Sequence, residues 1–396
     1  MHTLKTHTTR TESRRPAIVS LCLVCLALVA CRAGWETTIV ASDGSAYTVD
    51  ASTLKALKTY IEEEEGQQGV PLERVLWDAG HPLIEQLTLV QPDGTRIPLD
   101  WAASAGGDSS VGTVEWLRNG QLKVGGQAHR VERIEVQPHA LYSQVQASIT
   151  DLAPTTAAAL GLPAPAQATG RALDARHADH VLLLFLDGFG YVRYSEALVA
   201  GLIPNLAALG EPLVGLTVYP PCTSVASAAV LTGAPPQANG VDQRGIRKTE
   251  TETLFDVATE AGLGVVAVEG DALAFNLRNA EMTLSGDRDG NGSTDDNVLA
   301  NALAVLEEGM PDLFWVHFHG IDDAGHTYGP GAPEEQAAIQ GVDDAVGQLL
   351  QAVPAKTLII IFADHGMHQV EEEGRLGNHG HLIERDMFIP VFLVTR

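Results

Sequence analysis

Beyond residue 180 the chain alternates between short, almost wholly apolar runs and stretches with helical periodicity. The runs are VLLLFL (181–186), LVGLTV (213–218), VVAV (265–268), LFWVHF (313–318), TLIIIF (357–362) and MFIPVFLV (387–394), and helices are predicted over 197–209 and 333–353. Strands apolar on both faces must be covered on both, so the pattern predicts an α/β domain over 144–396 with a mostly parallel sheet flanked by helices. Sheets of that kind collect ligands at the carboxyl ends of their strands. The polar residues that end each run are therefore the ones that matter.

Residues 31–143 carry a different rhythm. Short alternating runs flank Asp43-Gly44, Asp93-Gly94 and Asn119-Gly120, three hairpin signals that predict a small β-rich module. After Ser52, Leu54, Leu57 and Ile61 share one helical face, with the four glutamates at 62–65 as its solvated end. The stretch VPLERVLWDAG (70–80) faintly resembles a motif of molybdopterin-binding-like domains; it holds no cysteine, so binding or packing is expected of it rather than redox chemistry.

Residues 1–30 read as a secretory signal: Arg10, Arg14 and Arg15 precede an apolar run from 17 to 30 that is short for a bilayer span. Its end, Leu28-Val29-Ala30-Cys31, resembles the lipobox of bacterial lipoproteins, which implies a lipid on Cys31 and an extracytoplasmic, membrane-anchored protein. Cys22 and Cys25 would leave with the signal, so Cys222 would be the one cysteine of the folded protein, with no disulfide possible. The chain has 25 basic and 50 acidic residues, and without residues 1–30 its formal charge is −28. Nucleic acid is excluded as a partner on that balance. A small anionic substrate then needs local positive charge, which metal ions can supply.

The run at 213–218 meets Pro220 and Pro221, which cannot continue it, and Thr223 then opens a helix of small residues closed by Thr232-Gly233. A hydroxyl at that place lies among free N–H groups and the positive dipole end, where phosphate is stabilised without a basic side chain. Read alone, the same threonine is an N-cap. It does not stand alone. Asp187 follows 181–186; Asp322 and His326 follow 313–318 in DDAGHTYGP; Asp364 and His365 follow 357–362 in FADHGM; His379 sits in GNHGH. Together with Thr223 these are seven oxygen and nitrogen ligands of the kind a pair of zinc ions takes.

With these motifs residues 181–396 resemble the alkaline phosphatase superfamily, most of all its nucleotide pyrophosphatase/phosphodiesterase branch, and the fold implied is alkaline phosphatase-like. The resemblance implies that Asp187, Thr223, Asp364 and His365 hold one divalent metal and Asp322, His326 and His379 the other. A set rich in imidazole favours zinc, and manganese accepts the same ligands. In the family pattern Y-P-x-x-T…T-G the nucleophile lies nine residues before the second threonine, which fits Thr223 and Thr232; Ser224 is the alternative nucleophile. Asp323, His319 and His381 are candidates to orient the imidazoles.

This chain departs from the family at the phosphate-clamping asparagine, whose place falls on Arg244. Arginine grips two nonbridging oxygens at once and suits a dianionic monoester better than a diester; the alternative is an exposed arginine in a polar loop. Cys222 lacks the following proline and arginine that sulfatase maturation requires. DRDGNGSTDDN (287–297) spaces Asp287, Asp289, Asn291 and Asp295 like a calcium loop, but Val298 stands where the bidentate glutamate belongs, so a turn-rich insertion is expected.

SITDLAPTTAAALGLPAPAQATGRAL (148–173) resembles a stretch that in the superfamily follows the last metal histidine. Here it comes first. That order implies a permuted carboxyl-terminal segment at 144–175, with a short helix from Asp151 packed on the carboxyl-terminal domain near 387–394. The expected function is hydrolysis of a small phosphate ester, mono- or diester, through a phospho-threonine and two metal ions. The alternatives are a phosphomutase or phosphotransferase of the same superfamily, and a non-catalytic envelope lipoprotein that binds a ligand.

Overall fold

The computed structural model describes residues 35–57, 69–81, 83–101, 114–117, 119–174, 176–288, 290–372 and 374–396. The signal-like segment, Cys31, Ile61, the glutamates at 62–65 and Asp289 lie outside these residues.

The amino-terminal module contains β1 (Glu36–Ala41), β2 (Ala46–Asp50), β3 (Gly69–Pro71), β4 (Ile84–Val90), β5 (Arg96–Asp100), β6 (Glu115–Leu117), β7 (Gln121–Val124), β8 (Gln127–Arg130) and β9 (Arg133–Pro138). They form two sheets, ordered β2-β1-β9-β4-β5 and β3-β6-β7-β8. At each predicted turn the Asx side chain accepts the N–H two residues on, from Ser45, Thr95 and Gln121. Each turn glycine then takes φ of 84–86°, a left-handed conformation that a Cβ would strain. The helix Leu72–Asp78 buries Leu72, Val75 and Leu76 against Ile39, Leu87, Leu89 and Ile134 of the first sheet. The same apolar cluster takes in Tyr219, Leu382, Ile383, Met387 and Phe388, so module and carboxyl-terminal domain share a core.

The second sheet system is built from β10 (Ala147–Ser148), β11 (His180–Leu186), β12 (Leu213–Leu216), β13 (Val265–Glu269), β14 (Glu281–Leu284), β15 (Leu313–Phe318), β16 (Thr357–Phe362) and β19 (Phe388–Thr395). Between β16 and β19 stands a small hairpin of β17 (His368–Glu372) and β18 (Arg375–Asn378). The eight strands lie in the order β10-β12-β19-β16-β11-β15-β13-β14, and among the described residues β19 alone runs antiparallel to the others. Every residue of β15 and β16 is buried, as the uninterrupted apolar runs require.

The helix expected over 197–209 is two pieces, Tyr191–Ala200 and the single turn Pro204–Ala207. Gly201 ends the first in a left-handed cap and Pro204 starts the second, so chain punctuation overrides the apolar periodicity. The Ala-rich helix Leu152–Ala159 buries Leu152, Ala153, Ala157 and Ala159 in the same core as the large sheet. It packs on the helices Thr223–Thr232 and Leu254–Glu260, while β10 pairs with β12, one strand beyond β19. Small side chains permit this approach: at Gly233, with φ of 65°, an added Cβ would lie 2.8 Å from Ala168 Cβ.

Candidate active site

Four strand ends converge. Asp187 leaves β11 into Gly188, whose N–H donates to Asp364 Oδ1 at 3.1 Å. Gly188 has φ of 71°, and a Cβ there would stand 3.0 Å from Asp322, so glycine lets two ligand-bearing segments touch. Past β15 the helix Gly320–Tyr328 presents Asp322 and His326 one turn apart, with Asp322 Oδ2 3.2 Å from His326 Nε2. Past β16, His365 Nε2 lies 3.0 Å from Asp364 Oδ2 and 3.6 Å from Asp187 Oδ1. Past β18, His379 Nε2 is 3.8 Å from Asp322 Oδ1, and its ring stacks on His365 with centroids 3.7 Å apart.

Thr223 is the first residue of its helix, and its Oγ1 lies 3.3 Å from His365 Nε2. The neighbouring Ser224 is turned away, its hydroxyl donating to the Arg244 carbonyl at 3.1 Å. Asp187, Asp364 and His365 have ligand atoms close enough to hold one ion; Asp322, His365 and His379 form a second such group. His365 thus stands between the two sets, and His326 sits beside Asp322 at the edge of the second.

The orientation of the imidazoles is as informative as their proximity. His365 Nδ1 bonds the Gly366 carbonyl at 3.0 Å, His326 Nδ1 the Gly377 carbonyl at 2.8 Å and His379 Nδ1 the Pro221 carbonyl at 2.8 Å. A carbonyl only accepts, so these contacts favour the proton on Nδ1 and turn Nε2 toward the centre, where Arg244 meets Nε2 of His379 and Arg375 meets both ring nitrogens of His326. The carboxylates match. Asp187 Oδ1, Asp322 Oδ1 and Asp364 Oδ2 are buried with no hydrogen-bond partner among the described residues. Buried, unpartnered carboxylate oxygens facing Nε2 of His365 and His379 are the donor set that divalent ions satisfy.

The electrostatics of the bare cluster agree. Burial, then the charges of Asp364 and Asp322, push the Asp187 carboxyl well above the usual range. Burial works against the His365 imidazolium, but Asp364, Asp322 and Asp187 outweigh it and push that ring up to about 10. Burial and then the charge of His365 drive His379 well below its ordinary value. Protons occupy positions of opposed charge that metal ions would relieve.

Arg244 lies in the site: its guanidinium donates to His379 Nε2 at 3.1 Å. With Thr223, Ser224, Arg247, Asp322 and His326 it lines a cavity of about 170 Å³, room for a small ligand. Of the residues expected to orient imidazoles, Asp323 is exposed, and main-chain carbonyls do that work instead. His319 pairs with Glu269 at 3.3 Å and approaches Asp187 Oδ2 at 3.7 Å. His381 turns outward from the centre to Glu73 of the amino-terminal module, 2.8 Å away.

Two residues escape a reading of strand ends. His317, inside β15, bonds Glu269 Oε2 at 2.8 Å and Asp187 Oδ2 at 3.2 Å. Glu269 is the last residue of β13 and also accepts from Trp315 Nε1 at 2.6 Å. The signal for them was a histidine within LFWVHF and a glutamate closing VVAVE. Asp187, His317 and His319 form a further group of metal-ligand type. Arg375 was missed too; its guanidinium reaches His326 Nε2 at 2.8 Å.

Cys222 is buried, and burial before all else pushes its thiol up to about 11, which leaves it inert at neutral pH. In the insertion, Asp287 accepts the N–H groups of Gly290 and Gly292, and Asp295 those of His319 and Gly320, so backbone occupies these carboxylates.

Residues 270–388 match the family described as Type I phosphodiesterase / nucleotide pyrophosphatase, so the resemblance to the alkaline phosphatase superfamily holds in the carboxyl-terminal domain. That span includes Asp322, His326, Asp364, His365 and His379 and excludes Asp187, Thr223 and Arg244. The chain is 29% identical over 103 residues to the GPI ethanolamine phosphate transferase 3 catalytic subunit of Mus musculus, covering 26% of this chain and 9% of that one. It is 23% identical over 219 residues to the venom phosphodiesterase CdcPDE of Crotalus durissus collilineatus, 48% of this chain and 26% of that one. The chain therefore spans a small fraction of these relatives. Among solved structures it is similar to phosphonoacetate hydrolase from Sinorhizobium meliloti 1021, with a TM-score of 0.41 and 19% identity over 53% of this chain and 59% of that one. Murine ectonucleotide pyrophosphatase / phosphodiesterase 5 gives a TM-score of 0.40 and 16% identity, covering 50% and 59%.

Proposed function

We propose that this protein is a phosphohydrolase that needs two divalent metal ions and cleaves a small phosphate ester through a phospho-threonine at Thr223. The observation that carries the proposal is the polarity of the ligand set: three imidazoles fixed through Nδ1, three buried carboxylate oxygens without partners, and one hydroxyl at their midst. Asp187, Thr223, Asp364 and His365 would hold one ion and Asp322, His326 and His379 the other. When bound, such ions would lower the pKa of the Thr223 hydroxyl and offset charge on the phosphoryl oxygens; the imidazoles favour zinc over manganese.

The chain's own residues do the rest. Thr223 Oγ1 attacks phosphorus from the start of its helix, where free N–H groups favour the phosphoryl oxygens, and the ester's P–O bond breaks as its alcohol leaves protonated. Arg244 lies within the same small cavity and binds nonbridging oxygens through parallel N–H groups. The phospho-threonine is then hydrolysed and the hydroxyl restored. Peptide mass spectrometry after brief exposure to an aryl phosphate should find phosphate on Thr223, and Thr223→Ala should lose hydrolysis by a factor on the order of a thousand or more. Hydrolysis left intact in Thr223→Ala would refute the proposal.

A second reading has an observation of its own, the similarity to GPI ethanolamine phosphate transferases. On that reading the phosphoryl group passes from Thr223 to an acceptor alcohol in place of water. Product analysis in the presence of added alcohols separates the two: a hydrolase releases inorganic phosphate from a monoester throughout, a transferase diverts it into a new ester.

A further inference from the structure

Two turns of the amino-terminal module meet the catalytic loops. Glu73, in the helix Leu72–Asp78, is buried to 5% exposure. Its Oε1 lies 2.8 Å from His381 Nδ1, and its Oε2 accepts the Leu382 N–H at 3.0 Å. Trp101 Nε1 donates to the Leu382 carbonyl at 2.7 Å. The module therefore holds both backbone polar groups of Leu382, three residues past the ligand His379. One helical turn past Glu73, the same helix also meets the nucleophile segment: Trp77 packs on Tyr219, ring centroids 6.2 Å apart, four residues before Thr223. Burial and then the charge of Glu73 raise the Tyr219 phenol well above its ordinary value, which places that carboxylate against the phenol as well.

The loop from His379 to Leu382 is not otherwise rigid by composition. Gly380 sits at φ of 121°, a conformation that favours glycine and gives the backbone between the ligand and its anchor little side-chain restraint of its own. On one side His379 Nδ1 is tied to Pro221. On the other, His381 N–H is held by Asp386 Oδ2 at 2.9 Å, its ring lies against His368, and Glu73 and Trp101 of the module hold His381 and Leu382.

We propose that Glu73 is a positioning residue for the metal site of Asp322, His326 and His379, acting through His381 and Leu382, so that the amino-terminal module completes the active site. The inference rests on the functional reading above. A partner that orients a ligand from outside its coordination sphere is typically worth about 10–100-fold in metal affinity. Glutamine at 73 can still accept from Leu382 N–H and donate to the other tautomer of His381, whereas alanine can do neither.

The experiment measures zinc stoichiometry by elemental analysis and zinc affinity by chelator competition in the full chain, for wild type, Glu73→Ala and Glu73→Gln. Expected are two ions per chain in wild type, one tightly held ion and a second weakened about tenfold or more in Glu73→Ala, and recovery of the second in Glu73→Gln. Two ions at unchanged affinity in Glu73→Ala overturn the inference while leaving the phosphohydrolase reading intact; a wild type that takes up no metal contradicts both. Should Glu73→Ala fail to fold, Trp101→Phe, which loses the bond to the Leu382 carbonyl together with part of a buried indole, is read in the same way, with unchanged affinity again the contrary result. His139→Gln, at the module contact with Glu384, is the control for a general loosening of the interface and should keep both ions.

Discussion

On the proposed function, the preference between monoester and diester would turn on one side chain. Arg244 stands where the superfamily resemblance leads one to expect an asparagine, and it lines the cavity with Thr223. A guanidinium that binds two nonbridging oxygens stabilises a dianion more than a monoanion, so Arg244→Ala should lower kcat/KM for an aryl phosphate monoester about 10–100-fold and for a diester by clearly less. Equal losses on both substrates, or none, would remove Arg244 from the clamp role. The cluster also predicts a pH dependence for metal-stripped protein. His365 is raised from 6.5 to about 10 by its carboxylate neighbours, against the opposing effect of burial. A raised folded-state value stabilises the fold fully below the unfolded value near 6.5 and loses that contribution as pH rises through about 10. Thermal melts of the stripped protein should therefore fall between pH 6.5 and 10, and a melting temperature that climbs over that interval would contradict the assignment. The candidate ligands Asp187, Asp364 and His365 were legible because they directly follow apolar runs, and Asp322, His326 and His379 because they stand in short polar motifs beyond such runs. His317 was not, because a polar residue inside a buried strand has the spacing of core, and Glu269, though it closes β13, shows its meaning only when its neighbour strand β15 brings His317 against it. His381 and Glu73, separated by 308 positions, carry no local pattern at all.

Among the elements, the strands were the most readable and the helices the least. β11, β15 and β16 coincide with the apolar runs because a central strand buried on both faces tolerates few polar side chains. The hairpins of the module were legible for another reason, since Asp-Gly and Asn-Gly encode a turn through one side-chain acceptor and one left-handed glycine. Its strands β8 and β9 follow Gly125-Gly126 and were passed over. The Ala-rich helix Leu152–Ala159 has little amphipathic contrast because it is buried on nearly every side, so periodicity gave no warning that it belongs to the core. The sheet sets the scale for stability: Leu184 is fully buried between Val316 of β15 and Ile361 of β16. Leu184→Ala should cost about 2–5 kcal/mol in urea unfolding. A loss below about 1 kcal/mol would mean the site is not packed as described.

For the molecule as a whole, the decisive feature is that Tyr219, Leu382, Met387 and Phe388 lie in one apolar cluster with Leu72, Leu76 and Trp101 of the module. Shared burial of that kind couples the two units, so calorimetry of the full chain should show one unfolding transition, and two well-separated transitions would contradict the coupling. The helix Leu152–Ala159, expected as part of a permuted segment 144–175 to lie near 387–394, has Thr223–Thr232 and Leu254–Glu260 as its helical neighbours. Six carboxylate and imidazole residues from four places in the chain gather about the Thr223 hydroxyl in a body of formal charge −25, where bound cations would make an anion welcome. The most direct test is metal analysis of the purified chain, coupled to phosphate-ester hydrolysis before and after chelation. The account predicts two divalent ions per chain, loss of hydrolysis when they are removed and recovery with zinc; full activity in protein stripped of metal would contradict it.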